Sequence, residues 1–139
     1  MTIGQGSATQ TFNMLVDTGS STLAVAGSSC TVGCGNVSPL YQESTHADNG
    51  ATNTQSAVSS TYGGGTSWQG YVWTDTVTLA GFTVSGMAIA VQTSADQFYR
   101  TGCAGLSSSL SNNQGILGYI PLGRRISLLK FAEMKFIKK

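Results

Sequence analysis

From residue 70 to residue 79 the chain alternates with a period of two. Tyr71, Trp73, Val77 and Leu79 fall on one side with Asp75 among them, and Val72, Thr74, Thr76 and Thr78 fall on the other. β-branched and aromatic types dominate, so this stretch predicts a strand. Ala80-Gly81 reads as a turn and residues 82–91, interrupted by Gly86, as the return strand of a β-hairpin. Nearer the N-terminus, residues 2–11 alternate weakly and read as a strand or hairpin edge. Residues 12–16 form a short apolar run that predicts a buried strand ending at Asp17. Thr18-Gly19-Ser20-Ser21 reads as a turn, and residues 22–26 as the next strand. Between 27 and 67 the chain is mostly Gly, Ser, Thr, Asn and Gln, which predicts long surface loops with short strands. Residues 101–114 read as another polar loop and 115–119 as a short apolar strand bracketed by glycines. No internal repeat is present. The expectation is an all-β domain, barrel-like or built from two packed sheets.

Composition refines this picture. The 139 residues suit one domain with a modest core. Only 9% are charged, but an apolar content of 40% argues against disorder. The net charge of +1 conceals an asymmetry: residues 1–123 carry one base against five acids, and residues 124–139 carry six bases against Glu133. The first part is therefore net −4 and the second net +5. This shift divides the chain into a domain at 1–123 and a basic tail at 124–139, which predicts one short helix without a clean apolar stripe. A basic tail suits nucleic acid or an anionic surface, yet no aromatic platform or recognised nucleic-acid module accompanies it, so no nucleic-acid partner is expected. No apolar run is long enough to span a membrane. Met1 leads directly into strand-like sequence, which suggests a chain cut from something longer.

The cysteines are Cys30, Cys34 and Cys103. The close pair, with three residues between, reads either as zinc ligands or as a small-loop disulfide. His46 is the only histidine and no second close pair exists, so the disulfide is the favoured reading and no metal is expected. A disulfide implies an oxidising compartment. Cys103 is then left over, and a disulfide partner for it would have to lie outside this chain. Asn36-Val37-Ser38 has the form of a glycosylation acceptor, a pattern that often arises by chance.

The candidate chemistry begins at Asp17. Burial at the end of an apolar strand disfavours ionisation of a carboxyl, and nearby donors favour it. Thr18, Ser20 and Ser21 supply such donors. Gly19 permits close backbone approach. Asp-Thr-Gly by itself is ordinary turn vocabulary. In the setting Phe12-Asn13-Met14-Leu15-Val16-Asp17-Thr18-Gly19-Ser20-Ser21-Thr22-Leu23, however, the sequence resembles the pepsin-like aspartic peptidases, in which an apolar strand ends in Asp-Thr-Gly-Ser-Ser. The resemblance continues in order. Thr2-Ile3-Gly4 resembles the opening strand of the N-terminal lobe, and Cys30 to Cys34 falls where many members have a small disulfide loop. Tyr62-Gly63-Gly64-Gly65 resembles the start of the flap, with Gly70 where the hairpin returns. Gly115-Ile116-Leu117-Gly118 resembles the segment packed behind the active site.

The resemblance implies a pepsin-like lobe, a partial β-barrel with a flap hairpin, and assigns roles by position. Asp17 would be one half of a catalytic dyad. Thr18 and Ser20 would hold its hydrogen-bond network, and Gly19 would offer a carbonyl to the substrate. Tyr62, by itself a plain loop tyrosine, would close over a bound peptide, with Gly63 and Gly64 supplying flap backbone. Leu15 and Ile116 would line an apolar pocket beside the cleaved bond. The reaction implied is water-mediated peptide-bond hydrolysis. It needs two carboxylates and no cofactor, in a secreted or vacuolar/lysosomal lumen.

Three departures qualify the resemblance. No second Asp-Thr-Gly or Asp-Ser-Gly is present; Asp75-Thr76-Val77 comes nearest but is mid-strand and lacks the glycine. The second aspartate must come from a missing C-terminal lobe or from a second copy of the chain, as in the single-lobe retroviral peptidases. The long loops and the cysteine pair favour the former, with the isolated monomer inactive. A non-catalytic peptide-binding domain is the remaining alternative. Second, position 24 is Ala24, where many relatives carry a tryptophan hydrogen-bonded to the flap tyrosine. Third, the resemblance fades after Tyr119.

Overall fold

The computed structural model describes residues 1–17, 21–34, 37–62, 65–96 and 102–105. The strand expected at 115–119 and the tail helix lie outside them. The elements are β1 (Thr2–Ile3), a 3-10 turn (Gly6–Ala8), β2 (Gln10–Thr11), β3 (Met14–Asp17), β4 (Leu23–Ala26), α1 (Glu43–Asp48), β5 (Thr52–Thr61), β6 (Ser67–Leu79), β7 (Phe82–Ala95) and β8 (Gly102–Gly105). Among the described residues the strands form one eight-stranded sheet in the order β2-β1-β6-β7-β4-β8-β3, with β5 paired to β6 beside β1. The all-β class follows, with one continuous mixed sheet in place of two separate ones.

The hairpin of β6 and β7 is the spine. Its two-residue loop has Ala80 at φ 51° and Gly81 at φ 82°. Two consecutive positive φ angles give the turn twist that matches the right-handed twist of the strands. Both strands are longer than the alternation predicted, because the ladder continues through the polar pair Gln69↔Ser94 to the buried pair Trp68↔Ala95. Gly86, at φ 65°, accompanies a register shift between Asp75 and Val77, so the expected interruption is a bulge.

The sheet is covered on both faces. All four residues of β4 are buried. Leu23 and Val25 join Ile3, Phe12, Tyr41, Trp73, Val77, Met87, Ile89 and Val91 in one core. Ala24 and Ala26 join Cys34, Trp68, Ala90 and Ala95 in a second. Opposite parities along one strand thus feed opposite cores, which explains why Leu23-Ala24-Val25-Ala26 reads as a continuous apolar run.

Four sequence-based expectations need correction. Residues 27–67 contain not only loops and short strands but also α1 and the ten-residue β5. β5 is polar and mostly exposed because it lies at an edge, where its ladder with β6 holds it without an apolar face. The loop expected at 101–114 includes β8, whose strand form depends on distant partners in β3 and β4. The strand at 12–16 begins only at Met14, and Leu15 is 53% exposed on β3, the edge of the sheet among the described residues. Finally, Tyr71 is exposed although Trp73, Asp75 and Val77 on its side of β6 are buried.

Candidate active site

Asp17 is the last residue of β3. β3 runs parallel to β8 with Leu15 opposite Cys103 and Asp17 opposite Gly105. β4 runs antiparallel to β8 on its other side, with Leu23 opposite Ala104 and Ala24 opposite Cys103. The strands before and after the Asp-Thr-Gly segment are therefore held apart by a third strand, and both meet it at the end carrying Gly105. A hairpin would bury this turn's backbone in its own ladder. The split arrangement leaves the C-terminal end of β3 free of a pairing with β4. Thr18, Gly19 and Ser20 lie outside the described residues, as do Gly63, Gly64 and Ile116.

Tyr62 follows β5, and its backbone closes the end of the β5–β6 hairpin. Its N–H donates to Thr66 O at 2.9 Å, and its carbonyl accepts from Gly65 N at 2.9 Å. The phenol oxygen accepts a hydrogen bond from Trp68 Nε1 at 3.2 Å. Tyr62 packs against the second core, which also contains Ala24. Ala24 shares a rung with Cys103, and Cys103 shares one with Leu15. With neighbouring strands about 5 Å apart, Ala24 is about 10 Å from Leu15 across the sheet. Leu15, half-exposed, is two residues before Asp17.

Cys30 and Cys34 form a disulfide. Cys34 is buried in the second core, and the loop is pinned by Ala95 N donating to Val32 O at 3.0 Å. The loop therefore belongs to the same wall as Trp68 and Tyr62. Among the described residues no three His, Cys, Asp or Glu side chains are grouped as a metal ion would require.

Asp75 is fully committed elsewhere. It is buried beneath α1, where Oδ2 meets His46 Nδ1 at 2.7 Å and accepts from Tyr41 Oη at 2.9 Å. Oδ1 accepts from Thr76 N at 2.6 Å. Gln10 orients the far side of the ring: its Nε2 donates to Leu40 O, and its Oε1 accepts from Gln42 N and faces His46 Nε2 at 2.8 Å. The two ring nitrogens of His46 are thus held between Asp75 and Gln10. The rings of Tyr41 and His46 stack with centroids 3.9 Å apart. Burial, with Asp75 beside it, pushes the Tyr41 phenol far above its usual range. Asp96 is also occupied, accepting from Ser67 N and Oγ across the start of β6, and Asp48 is exposed on α1.

Sequence reasoning did not find this buried cluster, because its members are far apart in the chain and the lone histidine had no visible partner. It also passed over Trp68, whose one signal was a large aromatic in a glycine-rich polar stretch.

Comparison with known proteins agrees with the geometry. The family model described as "Eukaryotic aspartyl protease" matches residues 1–124. Among curated proteins, "Major aspartyl peptidase 1" of Cryptococcus neoformans var. grubii is 39% identical over 89 residues. That stretch is 64% of this chain but only 18% of the relative, so the chain spans a small part of the protein it matches. An apolar strand ending in Asp17, a hairpin closed by Tyr62, and a family match over residues 1–124 place this chain in the eukaryotic aspartyl protease family.

Proposed function

We propose that the chain is one lobe of an aspartic endopeptidase, that Asp17 is its contribution to a catalytic pair, and that the isolated monomer is inactive. The observation that carries this reading is the position of Asp17 at the C-terminal end of β3, beside β8 and not in a hairpin with β4. Peptide hydrolysis by this chemistry uses two carboxyl groups that share one proton, because like charges so close do not both ionise; aspartic proteases are the standard case. The ionised member takes a proton from water and the protonated member polarises the scissile carbonyl. The two titrate as a unit.

The chain supplies one such motif. Asp75, the nearest alternative, is held by His46, Tyr41 and Thr76 and is buried on the other core. The second aspartate therefore comes from a C-terminal lobe, or from a second copy in the homodimeric alternative. Thr18, Gly19 and Ser20 would hold the Asp17 network, while Leu15, Tyr62, Gly63, Gly64 and Ile116 would contact the peptide. A non-catalytic peptide-binding domain is the reading the experiment must exclude. The disulfide supports an oxidising, lumenal or extracellular setting.

The test combines mass by light scattering with cleavage of acid-denatured haemoglobin, both across a concentration series at about pH 4–5, where the pair keeps one proton. The chain alone is expected to be monomeric and inactive. It gains cleavage when an aspartyl protease C-terminal lobe is supplied in trans, and Asp17→Asn abolishes that gain. Activity that rises with dimer fraction identifies the homodimer instead. Cleavage that survives Asp17→Asn, or no cleavage in any pairing, refutes the assignment.

A further inference from the structure

The cluster on the second face of the sheet has an unusual composition. Its floor is Ala24, Ala26, Ala90 and Ala95, all buried, and its one large buried side chain is Trp68, only 3% exposed. Four alanines in one cluster, Ala24 and Ala90 on facing rungs, leave a layer that only a bulky group can fill at interior density. Trp68 meets that need, and Cys34 and the partly buried Tyr62 pack against the same cluster. A buried indole also needs an acceptor for its N–H. Here the acceptor is the Tyr62 phenol, at 3.2 Å.

We propose that Trp68 is the positioning residue for Tyr62, supplying from β6 the indole hydrogen bond that Ala24 cannot supply from β4. The inference rests on reading Tyr62 as the residue that closes over bound peptide. Packing and hydrogen bonding agree. The small side chain at 24 and the large one at 68 are two halves of one solution, because a second indole at 24 would overfill the layer that Trp68 occupies. The tie also differs in kind from one reaching out of the sheet's centre. Tyr62 follows β5 and Trp68 is the second residue of β6, so the bond spans the end of a single hairpin. The backbone bonds Tyr62 N to Thr66 O and Gly65 N to Tyr62 O close the same end. The phenol, the hairpin end and the indole therefore move as one unit, seated on the alanine floor. The disulfide loop joins that seat through Val32, whose carbonyl accepts from Ala95 N; Ala95 is the register partner of Trp68.

A merely structural tryptophan would fill the layer without regard to Tyr62, and two substitutions separate these roles. Tyr62→Phe removes the acceptor and keeps the ring. In the full chain, the Trp68 indole N–H resonance is expected to move upfield and its hydrogen exchange to speed up about tenfold, the scale of one neutral hydrogen bond. The Trp73 indole serves as the internal reference. Trp68→Phe keeps an aromatic ring on the floor and removes the donor. The chain assembled with a C-terminal lobe should then lose about five- to tenfold in kcat/KM on a peptide substrate, chiefly through KM, while it stays folded with a urea midpoint lowered by the smaller ring. The swap Ala24→Trp with Trp68→Ala is expected to recover cleavage, by moving the donor to β4. An indole resonance unchanged in Tyr62→Phe overturns the tie. Unaltered kcat/KM in Trp68→Phe overturns its role in positioning. If the unsubstituted chain cleaves nothing in any pairing, the peptidase reading fails, and the indole resonance still decides whether the tie exists.

Discussion

The buried group around Asp75 makes a quantitative prediction about what holds the lobe together. Asp75→Ala removes the acceptor shared by Tyr41 Oη and His46 Nδ1, at 2.9 and 2.7 Å, and the acceptor of Thr76 N. Tyr41 is 0% and His46 1% exposed, so water does not replace the lost carboxylate without rearrangement. Each buried donor left unsatisfied costs about 1–3 kcal/mol, and breaking one side of a buried pair about 3–5 kcal/mol. We therefore expect Asp75→Ala to destabilise the chain by about 3–5 kcal/mol, a large share of a typical domain stability of about 5–15 kcal/mol. Tyr41→Phe is the control. It removes donor and bond together, leaves Asp75 bonded to His46 and Thr76, and should cost about 1 kcal/mol. Urea unfolding followed by tryptophan fluorescence reads both, because Trp73 is buried and meets Tyr41 edge-on at 5.7 Å. If Asp75→Ala costs no more than Tyr41→Phe, the group is not a structural anchor and the carboxylate must be credited with something else. Should Asp75→Ala fail to fold, Asp75→Asn, which keeps one acceptor, is expected to fall between the two.

Two further outcomes are specific to this structure. Because burial and Asp75 raise the folded-state pKa of Tyr41 above its ordinary value of 10.0, the folded chain retains a proton that the unfolded chain releases. The stability from this group is fully present below about pH 10 and is lost as pH rises beyond it; a denaturation series from pH 8 to 11 should show the decline start near 10, and Tyr41→Phe should remove it. Gly70→Ala would bring a Cβ against the Val91 carbonyl oxygen and within 2.8 Å of Gln92 Cα, at the register shift where β6 crosses β7. We expect it to cost at least about 2 kcal/mol, read as a lower urea midpoint; an unchanged midpoint would mean that the two strands can separate freely at this point.

Much of the lobe could be read from local pattern alone. Alternation over residues 70–79, the Ala80-Gly81 turn and the break at Gly86 announce the central hairpin, because each is a short-range property of the backbone and its neighbours. Asp17 stands out for the same reason: an apolar run, a carboxylate and a Gly-Ser turn are consecutive. The Cys30–Cys34 disulfide closes a loop so short that proximity in sequence implies proximity in space. Other features depend on partners far along the chain. β5 carries no apolar alternation because it is an edge strand, and only its ladder with β6 makes it a strand. β8 is a short segment of small residues, Gly102-Cys103-Ala104-Gly105, that becomes a strand by insertion between β3 and β4, and that insertion decides where β3 ends at Asp17. His46, Tyr41 and Asp75 are unremarkable singly, and become one buried group once α1 packs over β6. Trp68 took its meaning from Ala24, more than forty positions earlier, when the sheet brought an empty layer and a large ring onto one face. In each of these cases the deciding quantity is a contact or a hydrogen bond between distant residues, and local composition does not encode which distant residue will arrive.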